Sequence, residues 1–579
     1  MIHSLSKERE CRHFEGSPVE RMSAVIYDPK IWLENYDPGV GAEVEIYGQS
    51  LAQILEETGS LYAERPALNY LGMRMNYREL MGWADRFARG LAEKGLGKGD
   101  VIALNMPNIP QNVIALAGAL KAGCIVTGLS PLFAPDEMAY QLSDSGAKAM
   151  VSLDMTFENV FLKIADKVDS LRIVLVAGAL DLLSEADTTP KGSPVEGKEV
   201  MSFVDFCRAY PPEARSVDLT REDSAFILYT GGTTGVPKGA ILTNGNMLAN
   251  LAQFNAWHQM ERGAERNLVV FPMFHVAGIM ICCVNLHLGT EQTLIPDPRD
   301  LAHLIKEWDA LKPTWGVLSP SLYTMLMNEE SFRRLDFSSL RKCFSGSAPF
   351  SVEGMNSVEE LVGKGKVTEG LAMTECSPMF TTNPFKGRKK VGSVGLPVPS
   401  TLVKIMDVET GDQEMPLGEP GEIIVHGPQV MKGYHNKPEE TAHALREHDG
   451  KLWMHTGDMG YMDEDGYIWV VDRLKDMVVV GGYKVFSTEV EGKLYEHPAI
   501  LFCAIVGVPN PDRPGSELVK LVVQKSEEYS NRSNDEVREE LTAFAREKLA
   551  PYKVPKIIEI VDGMPLTAVG KVNKKALRS

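Results

Sequence analysis

Residues 101–153 read VIALNMPNIPQNVIALAGALKAGCIVTGLSPLFAPDEMAYQLSDSGAKAMVSL, and this stretch decides the fold class. Val101-Ile102-Ala103-Leu104 is a short apolar run of strand type, followed by an apolar helix around Val113–Lys121. The β-branched run Cys124-Ile125-Val126-Thr127 comes next, then a helix near Pro135–Ser143, then a third run at Ala149–Leu153. Strand–helix–strand alternation of this kind argues for an α/β fold with mostly parallel sheet. Upstream, Asn76-Tyr77-Arg78-Glu79 has the form of a capping box, with Asn76 as N-cap. Leu80, Trp83, Phe87, Ala88 and Leu91 then recur at helical spacing, and Gly95 supplies a stop.

Working outward, the chain of 579 residues is long enough for several subdomains around large cores. Residues 1–28 mix both charges, hold no apolar h-region and read as a disordered extension. The large α/β domain is expected over 29–472. Its texture changes near 390 to short β runs and glycine turns, such as Gly421-Glu422-Ile423-Ile424-Val425, which predicts a small β subdomain. A small α+β domain is expected over 473–579, with Val537, Leu541, Phe544, Ala545 and Leu549 forming one helical stripe after a Ser533/Asn534 cap. Residues 184–198 are polar and read as a surface loop.

Composition excludes several classes. Hydrophobic residues make up 44% and charged residues 24%, which rules out collagen-like, disordered and coiled-coil chains. A net charge of −18 argues against a general nucleic-acid binder. The eight cysteines form no CxxC pair, which argues for a reducing compartment and against structural zinc. Leu268–Leu288 is long enough and nearly apolar enough to span a bilayer. It nevertheless carries Pro272, His275, Gly278, Asn285 and His287 and has no basic flank. We read it as a buried strand and helix beside a site, so no transmembrane segment is expected.

The strongest local signal is Tyr229-Thr230-Gly231-Gly232-Thr233-Thr234-Gly235-Val236-Pro237-Lys238-Gly239. Glycines let backbone N–H groups approach an anion, threonine hydroxyls add donors and Lys238 adds charge, so the stretch reads as a phosphate cradle. It is not the P-loop of nucleotide-hydrolysing motors, because Lys238 is followed by Gly239 rather than Ser or Thr.

This loop resembles the phosphate-loop signature of the adenylate-forming superfamily, which holds acyl- and aryl-CoA ligases, peptide-synthetase adenylation domains and luciferases. Further motifs similar to that family follow in order: Phe271-Pro-Met-Phe-His275, Ser345-Gly346-Ser347-Ala348-Pro349, Met373-Thr374-Glu375, Thr456-Gly457-Asp458, Asp472-Arg473-Leu-Lys475-Asp476 and Pro565-Leu-Thr-Ala-Val-Gly-Lys571. The resemblance covers about residues 30–579. Trp32-Leu-Glu-Asn-Tyr36, Thr374-Glu-Cys-Ser-Pro378 and Asn383-Pro384 are most similar to long-chain fatty acid–CoA ligases.

The resemblance implies ATP, Mg2+ and CoA as cofactors and a carboxylic acid as substrate. It implies Glu375 as the metal ligand beside Thr374, Asp458 and Arg473 at the ribose, and Lys571 on the carboxylate and α-phosphate. Ser347, Ala348, Pro349, Glu369, Gly370 and Leu371 join the loop residues around the nucleotide, while His275, Val276, Gly278, Gly346 and Ala372 line the acyl pocket. It further implies that the small domain is mobile about Lys475 and brings Gly481, Gly482 and Lys484 to a CoA channel.

Two departures stand out: Leu371 occupies the place of a common aromatic that stacks on adenine, and Ser347 that of a frequent glycine. Ala568 also replaces a common proline near Lys571. The activity expected is that of a cytoplasmic fatty acid–CoA ligase, with peripheral membrane contact or a dimer both compatible. Loading of a carrier protein in trans and an aryl or branched substrate are the alternatives. A non-catalytic acyl or nucleotide sensor is the competing class, against which the presence of both Glu375 and Lys571 weighs.

Overall fold

The computed structural model describes residues 30–183, 192–230, 236–348, 350–481, 483–511, 513, 516–567 and 572–578. The expected N-terminal extension and residues 184–191 of the polar loop lie outside them.

The decisive stretch folds as its pattern predicts. Val101–Asn105, Ile125–Gly128 and Ala149–Leu153 are parallel neighbours in an eight-stranded sheet, joined by the helices Pro110–Lys121 and Pro135–Ser145. The sheet continues in parallel through Ile173–Ala177 to Glu199–Ser202 on one side. On the other side it runs through Ser224–Thr230 and then turns antiparallel at Lys238–Thr243 and Gly433–Tyr434. All five residues of Val101–Asn105 are buried, as a strand covered on both faces requires. The capping box forms as read: Asn76 accepts from the Glu79 N–H at 2.9 Å, and Glu79 accepts from the Asn76 N–H at 2.8 Å.

A second, nine-stranded sheet holds Pro66–Tyr70, Glu291–Leu294, Arg266–Val269, Trp315–Leu318, Lys342–Ser345 and Val367–Ala372 as consecutive parallel strands. The apolar run at 268–288 becomes the end of one of these strands and the helix Val276–Leu288, whose first residues adjoin His275. Among the described residues, no helix is long and apolar enough to cross a membrane.

A five-stranded antiparallel sheet follows, in which Lys451–Met462 pairs with Gly421–His426, Leu445–His448 and Ile468–Arg473. Beyond it, Ile500–Pro509, Glu517–Lys525 and Ile557–Val561 form a separate three-stranded sheet. This sheet packs on the helix Asn534–Lys548, which buries Val537, Leu541 and Ala545 behind a Ser533 cap. The core of this last unit draws on residues from Val478 to Leu577, separate from the main core that spans Trp32 to Ile468. The architecture is thus a large α/β domain with a β subdomain, followed by a small α+β domain.

Candidate active site

Ligands of parallel α/β sheets bind where the strands end, because the loops there are free to vary while the sheet stays rigid. Here the carboxyl ends of the two large sheets face one another. Ile125–Gly128 ends against the turn before His275 so closely that a Cβ on Gly128 would lie 2.6 Å from the Phe274 carbonyl oxygen. Asn108, following the next strand, grips the same turn: its amide donates to the Val269 and Phe271 carbonyls, each at 3.0 Å, and accepts from the Met273 N–H at 3.0 Å. His275 is thereby held at a helix start, where its Nδ1 accepts from the Ala277 N–H at 3.3 Å. Val276 is buried in the main core. Gly278 packs against backbone, since a Cβ there would sit 2.1 Å from the Pro272 carbonyl oxygen. Gly278 therefore allows the close approach of this turn to the helix start.

The glycine-rich loop joins two antiparallel strands whose last register pair is Thr230 with Lys238. Gly231, Gly232, Thr233, Thr234 and Gly235 lie outside the described residues. Its stem is anchored on both sides: Tyr229 donates to Asp144 at 2.6 Å, and Tyr140 donates to the Pro237 carbonyl at 2.9 Å. The Lys238 ammonium forms an ion pair with Glu440 and lies over the Tyr434 ring, 5.4 Å from its centroid. Tyr434 in turn donates to Glu375 Oε1 at 2.6 Å. Burial, reinforced by the adjacent Glu375 carboxylate, pushes the Tyr434 phenol far up, so it stays protonated and acts as the donor. Glu375 and Thr374 are both buried, at the turn after Val367–Ala372.

On the neighbouring strand, Ser345 is in register with Glu369. The Ser345 and Ser347 hydroxyls are buried with no hydrogen-bond partner among the described residues. Two orphaned donors at the end of a parallel strand suit a ligand rich in acceptors. A Cβ on Gly346 would meet nothing within 4 Å, so this glycine borders open space. Glu369 accepts from the Phe350 N–H at 3.0 Å, and burial pushes its carboxyl up to about 7. Gly370 lies close to the Thr381 carbonyl, Leu371 is half-buried, and Ala372 is exposed at the strand end. Ala348 follows Ser347 at the same strand end, whereas Pro349 lies outside the described residues.

A further cluster sits on the antiparallel sheet. Asp458 is buried in register with Arg473, whose Nε lies 3.0 Å from Asp458 Oδ1. The preceding Gly457 takes a φ of 71°, the left-handed region that glycine occupies without a Cβ penalty.

Lys571 and Gly482 lie outside the described residues. Leu566 and Val572, which flank the lysine segment, form an antiparallel bridge. The tail after it is strapped to the 472–476 segment: Arg578 donates to the Lys475 carbonyl at 2.9 Å and to Asp476 at 2.6 Å, and Lys574 donates to Ser487 at 2.7 Å. Gly481 and Lys484 stand at a hairpin that pairs Val478–Val480 with Tyr483–Val485. The Gly481 N–H donates to Ser516 at 2.8 Å, and the Lys484 side chain is exposed.

Sequence reading missed Tyr434, Glu440 and Ser345. The first two lie between the expected motifs, and only folding brings Gly433–Tyr434 to the edge of the eight-stranded sheet beside Glu375. Ser345 opens a quoted motif and could have been singled out there.

The buried Glu375 carboxylate, with partnerless serine hydroxyls at the end of the neighbouring strand, fits a magnesium–nucleotide complex, because Mg2+ takes one or two carboxylates and completes its shell with phosphate and water oxygens. The described residues contain no cluster of three or more His, Cys, Asp or Glu able to hold a metal on their own.

The chain belongs to the family of AMP-binding enzymes, whose main domain it matches over residues 55–435 and whose C-terminal domain it matches over 489–571. It is 38% identical over 562 residues to a long-chain-fatty-acid–CoA ligase of Bacillus subtilis, covering 95% of this chain and 97% of that one. It is 39% identical over 569 residues to a long-chain-fatty-acid–CoA ligase of Yersinia pestis, at 95% and 98% coverage. Among solved structures it is similar to the anthranilate CoA ligase AuaEII in complex with anthranoyl-AMP. That likeness has a TM-score of 0.80 and 26% identity, over 92% of this chain and 97% of that one.

Proposed function

We propose that this chain is an ATP-dependent, AMP-forming fatty acid–CoA ligase of the cytoplasm. A carboxylate is joined to the α-phosphate of ATP with release of pyrophosphate, and the CoA thiolate then displaces AMP to give the thioester. The observation that carries this reading is the 38% identity with a long-chain-fatty-acid–CoA ligase along 95% of the chain. Glu375, Asp458 and Lys571 stand in this sequence at the motif positions the chemistry needs.

A carboxylate resists nucleophiles and has no good leaving group, so both half-reactions depend on stabilising charge that builds on oxygens. In our reading the 231–235 backbone and Lys238 take the phosphates, and the Ser345 and Ser347 hydroxyls satisfy oxygens at the same strand end. Glu375 holds magnesium, and Tyr434 fixes the carboxylate that holds it. Magnesium, when bound, neutralises phosphate charge. Asp458 takes the vicinal ribose hydroxyls, which offer two donors to its acceptors, and Arg473 supports it. Leu371 covers an adenine face, with Glu369, Gly370, Ala348 and Pro349 around the base. His275 orients the substrate carboxylate, and Gly346 and Ala372 leave room for the acyl chain, with Val276 behind them.

Lys571 draws carboxylate and α-phosphate together for the first half-reaction. The unit over 473–579 then turns about Lys475 and brings Gly481, Gly482 and Lys484 to the pantetheine path. Carboxylate-dependent exchange of labelled pyrophosphate into ATP tests the first half-reaction without CoA. Exchange stimulated by palmitate supports the reading, and exchange indifferent to every carboxylate contradicts it.

A further inference from the structure

Behind the Thr456-Gly457-Asp458 turn lies a partly buried polar chain that the roles above leave unused. Glu422 Oε1 accepts from the Gly457 N–H at 3.0 Å, and Glu422 Oε2 lies 2.8 Å from His455 Nδ1. His455 Nε2 lies 2.9 Å from His448 Nε2. The His455 side chain is 3% exposed and that of Glu422 12%. Thr456 completes the frame, donating to the Ile423 carbonyl at 2.7 Å and accepting from the Asp458 N–H at 3.1 Å.

With Glu422 ionised and His455 neutral, the donors and acceptors allow one arrangement. An ionised Glu422 only accepts, so His455 carries its proton on Nδ1. Its Nε2 then bears a lone pair and accepts from His448 Nε2–H. Each member thus sets the tautomer of the next, and the chain ends on the backbone N–H of a left-handed glycine. Glycine adopts that φ freely, so hydrogen bonds fix the turn: Glu422 takes the Gly457 N–H, and the Leu474 N–H donates to the Gly457 carbonyl at 3.0 Å. The next residue is Asp458, whose two oxygens must meet two hydroxyls. A rotation of the 456–457 peptide would swing that carboxylate away from any ligand placed by the rest of the site.

We propose that Glu422 and His455 are positioning residues that hold the Gly457 turn so that the Asp458 carboxylate reads the ribose hydroxyls, with His448 locking the His455 tautomer. This inference rests on the proposed ribose contact of Asp458. Neither residue touches the nucleotide; both act through the backbone of Gly457.

The test is the ratio of kcat/KM for ATP to kcat/KM for 2′-deoxy-ATP, measured on the full chain with palmitate and CoA. A general loosening of the fold lowers both values together, whereas a misplaced Asp458 loses discrimination. Glu422→Ala is expected to cut the ratio about tenfold, the size of one charge-assisted hydrogen bond, mainly through KM for ATP. His455→Asn keeps a donor toward Glu422 and is expected to hold the ratio near wild type, while His455→Leu loses it.

Asp458→Ala separates the two claims. If it abolishes discrimination while Glu422→Ala and His455→Leu leave the ratio unchanged, the positioning role is overturned and the ribose contact stands. If the wild-type protein does not discriminate, the ribose contact fails and takes this inference with it. Should Glu422→Ala fold poorly, the His455→Asn and His455→Leu pair carries the test, and equal ratios for the two overturn the proposal.

Discussion

The Tyr434 hydroxyl donates to Glu375 Oε1 at 2.6 Å, joining the edge of the eight-stranded sheet to the turn that ends a strand of the nine-stranded sheet. The same Tyr434 ring lies under the Lys238 ammonium. One side chain therefore ties the stem of the glycine-rich loop to the carboxylate proposed to hold magnesium. Tyr434→Phe keeps the ring and its contact with Lys238 but removes the donor. A hydrogen bond to an ionised group contributes about 1.5–3 kcal/mol. We expect the magnesium concentration for half-maximal activity to rise about tenfold, with the melting temperature little changed. A magnesium titration at saturating ATP checks this, and an unaltered half-maximal concentration would count against the link.

Lys571→Ala should separate the two half-reactions. Acyl-AMP formation is expected to be abolished, whereas thioester formation from supplied acyl-AMP should be largely spared, because the role proposed for the lysine is confined to the first. Single-turnover assays of each half-reaction measure this directly. Equal loss in both would sink the two-conformation account built around Lys475.

Glu369 makes stability depend on pH. Burial raises its carboxyl to about 7, opposed in part by the Phe350 N–H. The native state therefore keeps a proton that the unfolded chain releases above its ordinary carboxyl range. Stability from this site is full below that range and is lost as pH rises to about 7 and beyond. Glu369→Gln removes the titration, so its stability curve should be flatter between pH 4.5 and 8. By pH 8 the wild-type protein should lose on the order of 3 kcal/mol relative to the variant. Denaturant melts across that range test it, and parallel curves would show that the site does not titrate there.

Much of the fold was legible because its signals are local. The run at 101–153 carries apolar strands and helix signals in alternation, and the parallel sheet followed. Long-range pairing was not legible. Trp32–Tyr36 and Asn383-Pro384 were read as two separate motifs, yet they belong to one clasp. The Tyr36 ring packs edge-on against Trp257 at 4.8 Å, and Trp257 donates to the Asn383 carbonyl at 3.2 Å. Beside them, the buried Asp37 accepts from the Phe385, Lys386 and Gly387 N–H groups at 2.8, 3.0 and 2.5 Å. Nothing in the sequence announces a bond across some 350 residues. The site divided in the same way: Glu375 and Asp458 were visible as motif residues, while Tyr434, Glu440 and the Glu422–His455 pair gain meaning only from the neighbours that folding supplies.

Asp37→Ala should accordingly act on stability rather than chemistry. It removes the shared acceptor of three backbone donors; Phe385 is half-buried, and Lys386 and Gly387 are exposed and can turn to water, so the loss is about 0.5–1.5 kcal/mol. The unfolding midpoint should fall clearly, with KM for each substrate unchanged at a temperature where the variant is folded. Chemical denaturation paired with steady-state kinetics checks both halves.

Leu371 offers a gain-of-function test. It is half-buried on the strand that leads to Glu375, in the position where the resemblance to adenylate-forming enzymes implies an aromatic. Stacking of a base on an aromatic ring contributes about 1–3 kcal/mol. Leu371→Tyr should therefore lower KM for ATP several-fold without altering acyl preference. An unchanged KM would place the adenine elsewhere.

In the proposed reaction this chain joins fatty acids to CoA through an acyl-adenylate. Its most direct test is magnesium-dependent release of AMP and pyrophosphate from ATP across acetate, octanoate, palmitate and benzoate, each with and without CoA. Turnover should require CoA and peak on a fatty acid, with AMP and thioester formed in equal amounts. Acyl-AMP accumulation with no thioester under any condition would contradict CoA as the acceptor, and a maximum on benzoate would contradict the fatty acid assignment.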